Sequence, residues 1–252
     1  MSANVNDVPI LMYHHVCPEP RATSHFPYAV TPELFEEQVA WLARKSFTGV
    51  HLSSLVGSEI SRDQRPVVIT FDDGARNVVE YAIPILKKYR MTATVFIPPA
   101  FLGTWNSWDA DLPYPREELM TEAELKQLHQ DGFEIGSHGA RHINLDQSPP
   151  DIALDEMRNS RIRIETLLNA PINVMAYPFG AYPKEYKDLC MTSGYVAACS
   201  ISSHSKSVLD EPFALRRILI SPRDRGWRFK IKTSSFYLRR LSRAHRKPSQ
   251  SL

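Results

Sequence analysis

Apolar runs in this chain repeatedly stop at clusters of ionisable or turn-forming residues. Residues 9–13 run into His14-His15, and 66–71 into Asp72-Asp73-Gly74. Residues 174–177 run into Pro178-Phe179-Gly180, and the alternating strand-like stretch Phe133-Glu134-Ile135-Gly136 into Ser137-His138-Gly139-Ala140-Arg141-His142. Such short apolar runs, bounded by turn signals, read as buried strands. Further strands are expected at 92–97, 195–200 and 215–220, and helices at 32–45, 77–89, 121–132, 151–168 and 184–192. Two helices carry explicit start signals. Thr31-Pro32 offers a capping side chain and a proline at the first helical position, and Thr121-Glu122-Ala123-Glu124 is a capping box. Strands alternating with helices imply a parallel sheet, because parallel neighbours need a crossover. Polar motifs at strand ends fall where α/β barrels carry their active sites. A length of 252 residues suits one such domain.

Composition removes several other classes. No run of 18 or more apolar residues marks a membrane span. Residues 1–7 lack the basic start and apolar stretch of a secretory signal, so with Met1 as the start a cytoplasmic location, or one at the inner membrane face, is expected. Cys17, Cys190 and Cys199 are too scattered for a disulfide framework or a CxxC site, and are expected as reduced thiols. The net charge of +2 hides an asymmetry: from Phe213 onward there are twelve Lys/Arg and one acid, Asp224. Residues 223–252 are therefore set apart as a basic C-terminal extension to a barrel at 1–222. In it Phe236, Tyr237, Arg240, Leu241 and Ala244 fall at helical spacing among Arg239, Arg243 and Arg246. A basic amphipathic helix of this kind can make peripheral membrane contact, or it can pack its apolar face on the barrel. No zinc-finger or RNA-binding motif accompanies it, so nucleic acid is not an expected partner.

The strand-end motifs suggest a particular chemistry. Adjacent carboxylates at a buried strand end repel one another, and a cation relieves the repulsion. One aspartate of the pair Asp72-Asp73 would then bind the cation and the other serve as a base; a solvated helix cap is the plainer alternative. His138 and His142, four apart, would complete with a carboxylate the open three-ligand shell typical of catalytic Zn²⁺. Position 139 is glycine, so this is not the HExxH motif, and the base must come from elsewhere; Asp72 is available. The turn at 176–180 could present backbone N–H groups to an oxyanion, or be an ordinary turn. Of the pair His14-His15, one imidazole is expected at the same barrel mouth and the other on the opposite side, since successive strand residues alternate; a satisfied core histidine is the plainer alternative for His14. Phe101, Trp105, Trp108 and Tyr114 form either an aromatic wall for sugar rings or a small core beneath their loop.

Taken in order, these motifs resemble the NodB-type polysaccharide deacetylases, carbohydrate esterase family four, over roughly residues 8–220. The opening Leu11-Met12-Tyr13-His14-His15-Val16 and the stretch 212–218 resemble the permuted branch that includes poly-N-acetylglucosamine deacetylases. The resemblance implies a distorted, incomplete (β/α) barrel of about seven strands. It implies Asp72 as base, Asp73, His138 and His142 as ligands of a divalent metal (Zn²⁺ foremost), the Phe179 N–H as oxyanion donor and His14 as the acid. The implied substrate is an N-acetylated glycan, polymeric or lipid-linked, with Trp105, Trp108 and Tyr177 as candidate contacts. Two positions depart from the family pattern: Gly139 stands where a Ser/Thr would brace the loop, and Ala176 where an Arg is usual. A glycosidase is disfavoured, because its two acids must flank the scissile bond ~5 Å or more apart and the histidines would have no role. A glycan-binding protein on a decayed scaffold is disfavoured because the implied base, ligands and His14 are all present, although the family's late Asp-Trp and Leu-x-His motifs are not evident.

Overall fold

A side-chain period of two along parallel strands organises this molecule. The computed structural model describes residues 8–18, 28–57, 64–112, 114–201 and 211–238. Its main sheet has nine strands: β1 (Ile10–Tyr13), β4 (Phe47–Gly49), β5 (Arg65–Phe71), β6 (Thr94–Ile97), β7 (Glu134–Ser137), β8 (Val174–Ala176), β9 (Ala197–Ser200), β10 (Leu215–Arg216) and β11 (Ile218–Leu219). Their order is β10-β9-β8-β7-β6-β5-β1-β11, with β4 on the beginning of β5, and every pairing is parallel. The two ends of the path, β10 and β11, are consecutive in the chain. The expected strand at 215–220 is thus split at Arg217, its first half pairing with β9 and its second with β1. This one segment brings the edges together and nearly closes the barrel.

Helices cover the outside. They are α1 (Pro32–Arg44), α2 (Ile83–Lys88), α3 (Glu122–Gln130), α4 (Pro150–Leu168), α5 (Tyr186–Ser193) and α6 (Trp227–Lys232). Thr31 caps α1 by accepting from the Leu34 N–H, and Thr121 and Glu124 form the capping box of α3. The helix expected at 77–89 instead begins as a wide π turn, Val78–Ala82, before α2. Pro84, with no N–H to give the ladder, accompanies that irregularity. A small parallel pair, β2 (His15–Val16) with β3 (Ala29–Val30), was too short to carry a periodic signal.

Alternation sorts the core. Leu11, Tyr13, Val67, Ile69, Phe71, Met175 and Tyr177 belong to the cluster that also contains the helix residues Leu34, Phe35 and Leu42. Ile10, Val68, Phe96, Val174, Ala176, Cys199 and Leu215 form the inner cluster. Gly136 is required opposite Phe96, since a Cβ there would lie 2.5 Å from the ring. Continued one step beyond each strand, the period sends His14, Asp72 and His138 inward at one end of the barrel.

The start of the basic extension packs on the barrel. Phe229 is buried against Trp41, with ring centroids 5.8 Å apart, and Tyr237 and Leu238 contact the same core. Trp227, Ile231 and Phe236 face outward. Arg239, Arg240, Leu241, Arg243, Ala244 and Arg246, on which the expectation of a membrane-binding helix chiefly rested, lie outside the described residues. No helix among the described residues is long and apolar enough to cross a membrane.

Candidate active site

The β5 ladder runs one residue past the strand, where the Asp72 N–H donates to the Tyr13 carbonyl. The chain then turns sharply through left-handed backbone at Asp73 (φ 69°) and Gly74 (φ 66°). The loop after β7 does the same at Gly139 (φ 69°) and His142 (φ 54°). Non-glycine residues seldom hold this conformation unless their surroundings impose it, and functional sites are where they cluster. Here the turns bring Asp73 Oδ1 to 3.4 Å from His138 Nε2 and 3.3 Å from His142 Nε2. The three ligand atoms lie within 4.8 Å of one another.

This trio fits a divalent cation. Two donor atoms each ~2.0–2.1 Å from a tetrahedral ion sit about 3.4 Å apart, close to the carboxylate–imidazole separations found. His138 is also set in the right tautomer. Its Nδ1 lies 2.8 Å from the Ala176 carbonyl, which can only accept, so Nδ1 carries a proton and Nε2, which faces Asp73, is the nitrogen that would ligate a cation once its own proton is lost. Electrostatics agree. Burial opposes ionisation of Asp73, but hydrogen bonding to His138 and His142 holds its carboxyl well below the usual range. Burial also pulls His138 down, yet Asp72 and Asp73 together raise it above its ordinary value. The pocket therefore stabilises positive charge.

Asp72 is 3 % exposed and has a partner that the motifs did not reveal. Arg217, also 3 % exposed, clamps it with two parallel bonds: Nη1 to Oδ1 at 2.5 Å and Nη2 to Oδ2 at 2.7 Å. The guanidinium also reaches Thr70 Oγ1 at 3.3 Å. A buried carboxylate would normally be pushed towards its neutral form; here Arg217, then His138, outweigh burial and keep Asp72 ionised. The usable sequence signal was the missing arginine at 176, together with the pair Arg216-Arg217 in the closing segment.

The His14 and His15 rings lie 6.5 Å apart, inclined by 27°, and differ in their partners. His14 is half-buried and meets the tilted ring of Tyr28 with centroids 4.7 Å apart; its buried Nδ1 has no hydrogen-bond partner among the described residues. Burial lowers its pKa, against the opposing charges of Asp73 and Asp72, and Arg217 and His138 also lower it. His15 instead accepts from Asn77 Nδ2 at 3.3 Å, and burial pushes it down to about 4, so it remains a neutral structural residue.

The aromatic candidates divide. Trp108 stacks on His142 at 4.4 Å and meets Phe101 edge-on at 4.9 Å, so this part of the loop is both a local cluster and a wall of the site. Phe179, at φ 59° in its turn and 52 % exposed, closes the other side of His142 at 4.8 Å. Trp105 packs within its own loop, bridged to Glu118 and covered by the Arg116 guanidinium at 4.8 Å. Tyr114 is half-buried. Tyr177 requires a correction as a substrate contact. It is fully buried on the helix-facing side, with its hydroxyl donating to the Phe213 carbonyl at 2.8 Å and 3.0 Å from Cys190 Sγ. The period that points Ala176 inward points Tyr177 away from the barrel axis.

Residues 59–198, more than half of the chain, match the family described as polysaccharide deacetylase. The chain belongs to the polysaccharide deacetylases. It is 27% identical over 218 residues to YxkH of Bacillus subtilis (strain 168), a protein assigned to the polysaccharide deacetylases, covering 85% of this chain and 72% of that one. It is 24% identical over 205 residues to the poly-beta-1,6-N-acetyl-D-glucosamine N-deacetylase of Staphylococcus aureus (strain MSSA476), covering 77% of this chain and 68% of that one. The fold is similar to that of Streptococcus pyogenes deacetylase PplD in complex with acetate (TM-score 0.75, 24% identity, 90% and 98% of the two chains). The distorted (β/α) barrel expected for this family is therefore found, with its sheet counted as nine strands because the short β10 and β11 end the path and β4 pairs with β5 beside it.

Proposed function

We propose that this deacetylase removes N-acetyl groups from the amino sugars of a glycan, with a divalent cation held by Asp73, His138 and His142. The observation that carries the reading is the convergence of a carboxylate kept ionised by Arg217 with three correctly spaced ligand atoms at one barrel end. The name of the Staphylococcus relative supports poly-N-acetylglucosamine as the substrate class. When bound, a cation there polarises the acetamide carbonyl and lowers the pKa of water, to around 7 in zinc sites, which makes Zn²⁺ the first candidate.

The side chains supply the rest. Asp72, whose Oδ2 lies 4.0 Å from His138 Nε2, is placed to take the proton of the attacking water. Water oxygen bonds to the acetyl carbon, and the carbonyl oxygen gains negative charge that the Phe179 N–H is proposed to meet. The C–N bond then breaks. His14, in its imidazolium form, gives a proton to the nitrogen, so that an amine leaves rather than an amide anion.

Acetate release from a panel of N-acetylated glycans, with and without chelator, tests the reading. Release from N-acetylglucosamine polymers, abolished by chelation and restored by Zn²⁺, is expected. Absence of acetate from every glycan tried with the metal-loaded protein would overturn it, and chelator-resistant chain cleavage would instead indicate a glycosidase. Within the same assay, His14→Ala should lower turnover about 100-fold, in line with the loss of a general acid, with metal content unchanged. His15→Ala should chiefly weaken folding. The reverse ranking of the two turnover losses would assign the acid to the wrong histidine.

A further inference from the structure

The buried stripe of α4 is Ala153, Glu156, Met157, Ser160 and Ile164. The spacing is that of a helix face on a core, yet a carboxylate and a hydroxyl stand in it. Carboxylates are almost never fully buried without a partner. Glu156, 2 % exposed, has two: its Oε2 accepts from the Arg141 backbone N–H at 2.8 Å and its Oε1 from Arg141 Nε at 2.5 Å. Ser160, one turn on, meets Ser137 with hydroxyl oxygens 2.6 Å apart. Ser137 directly precedes His138, and Arg141 directly precedes His142.

We propose that Glu156 and Ser160 are positioning residues that hold both ends of the loop carrying the two histidines, so that α4 sets the spacing of the metal ligands. The inference rests on the metal-site reading above. It also accounts for the glycine at 139. That position has φ +69°, and a Cβ there would lie 3.3 Å from Pro178 Cγ and 3.7 Å from Glu156 Oε2. A bracing Ser or Thr at 139 would be strained, so the brace comes from the helix behind the loop. The anchor is the carboxylate on a backbone N–H, because that bond holds the loop backbone itself, whereas the Arg141 side chain is 62% exposed and only its partner Glu156 is buried. An anchor there also resists relaxation of His142 out of its left-handed conformation.

The full-length chain carries the test, as Glu156→Ala, Glu156→Gln, Ser160→Ala and Arg141→Ala. The readouts are Zn²⁺ affinity by competition with a chromophoric chelator, the visible spectrum of the Co²⁺-loaded protein, and the metal-free Tm. Glu156→Ala should weaken Zn²⁺ binding about 10- to 100-fold, as outer partners of metal ligands do, and alter the Co²⁺ spectrum. Glu156→Gln retains an acceptor for the Arg141 N–H and should recover most of the affinity. Arg141→Ala retains that N–H and should weaken Zn²⁺ binding less than Glu156→Ala does, while lowering the metal-free Tm because Glu156 stays buried with one partner fewer. A folded Glu156→Ala with parental affinity and spectrum overturns the proposal. If Glu156→Ala does not fold, Ser160→Ala decides, with a loss of about tenfold expected and parental affinity overturning it. A parent chain that takes up no Zn²⁺ would defeat the metal-site reading itself, an outcome separate from either variant result.

Discussion

His142→Ala should lose its metal and its activity together. The variant keeps Asp73 and His138 but removes one of three protein ligands, so affinity should fall by more than the ~10- to 100-fold typical of an outer partner. The loss has a second component here, because the ring lies between Trp108 and Phe179 and its removal opens both walls. His138→Ala should do the same to metal content while leaving those walls in place. Metal analysis of the purified variants, beside acetate release, checks the expectation. Full occupancy in either variant would rule out this set of ligands.

Asp72→Asn is expected to separate chemistry from metal binding. Asparagine cannot take the water proton, so turnover should fall about 10²- to 10⁴-fold while metal content stays at the parental level. Arg217 adds a consequence for stability. Its guanidinium would be left buried beside a neutral amide, and breaking such a pair from one side costs about 3–5 kcal/mol. Adding Arg217→Met should restore Tm without restoring turnover. The sign with pH follows from the direction of the Asp72 shift. A carboxyl held below its ordinary range in the fold contributes stability that is present above the unfolded pKa, about 3.9. That contribution is lost as pH falls through the folded pKa. The gap in stability between parent and Asp72→Asn should therefore be constant near neutrality and shrink only below about pH 4. A gap that closes near pH 7 would show that Asp72 is not the ionised partner of Arg217. Parental turnover in Asp72→Asn would remove it as the base.

The parts of the site that were legible in the chain are those with short reach. Asp72 and Asp73 are adjacent, His138 and His142 are four apart, and each pair follows a short segment that reads as a strand. Strand alternation also leads one to expect different surroundings for His14 and His15, and their partners do differ, Tyr28 for the first and Asn77 for the second. Tyr177 was misread although the same rule covered it: with small Val174 and Ala176 facing inward, its neighbour had to face the helices. Trp108 and Trp105 looked equivalent in a loop without period, and only packing distinguished them.

By itself, then, the sequence specified the alternation of strands and helices, the residues at the strand ends and which of them point inward, since all of these depend on near neighbours and a period of two. Only the tertiary structure decided which strand ends meet. Arg217 reaches Asp72 across 145 positions because a five-residue segment closes the barrel, with its central residue facing the interior. Glu156 reaches the histidine loop because α4 packs behind it, which turns polar members of an ordinary helical stripe into supports for the site. Pairings of that kind depend on barrel closure and helix docking, and local periodicity carries no record of either.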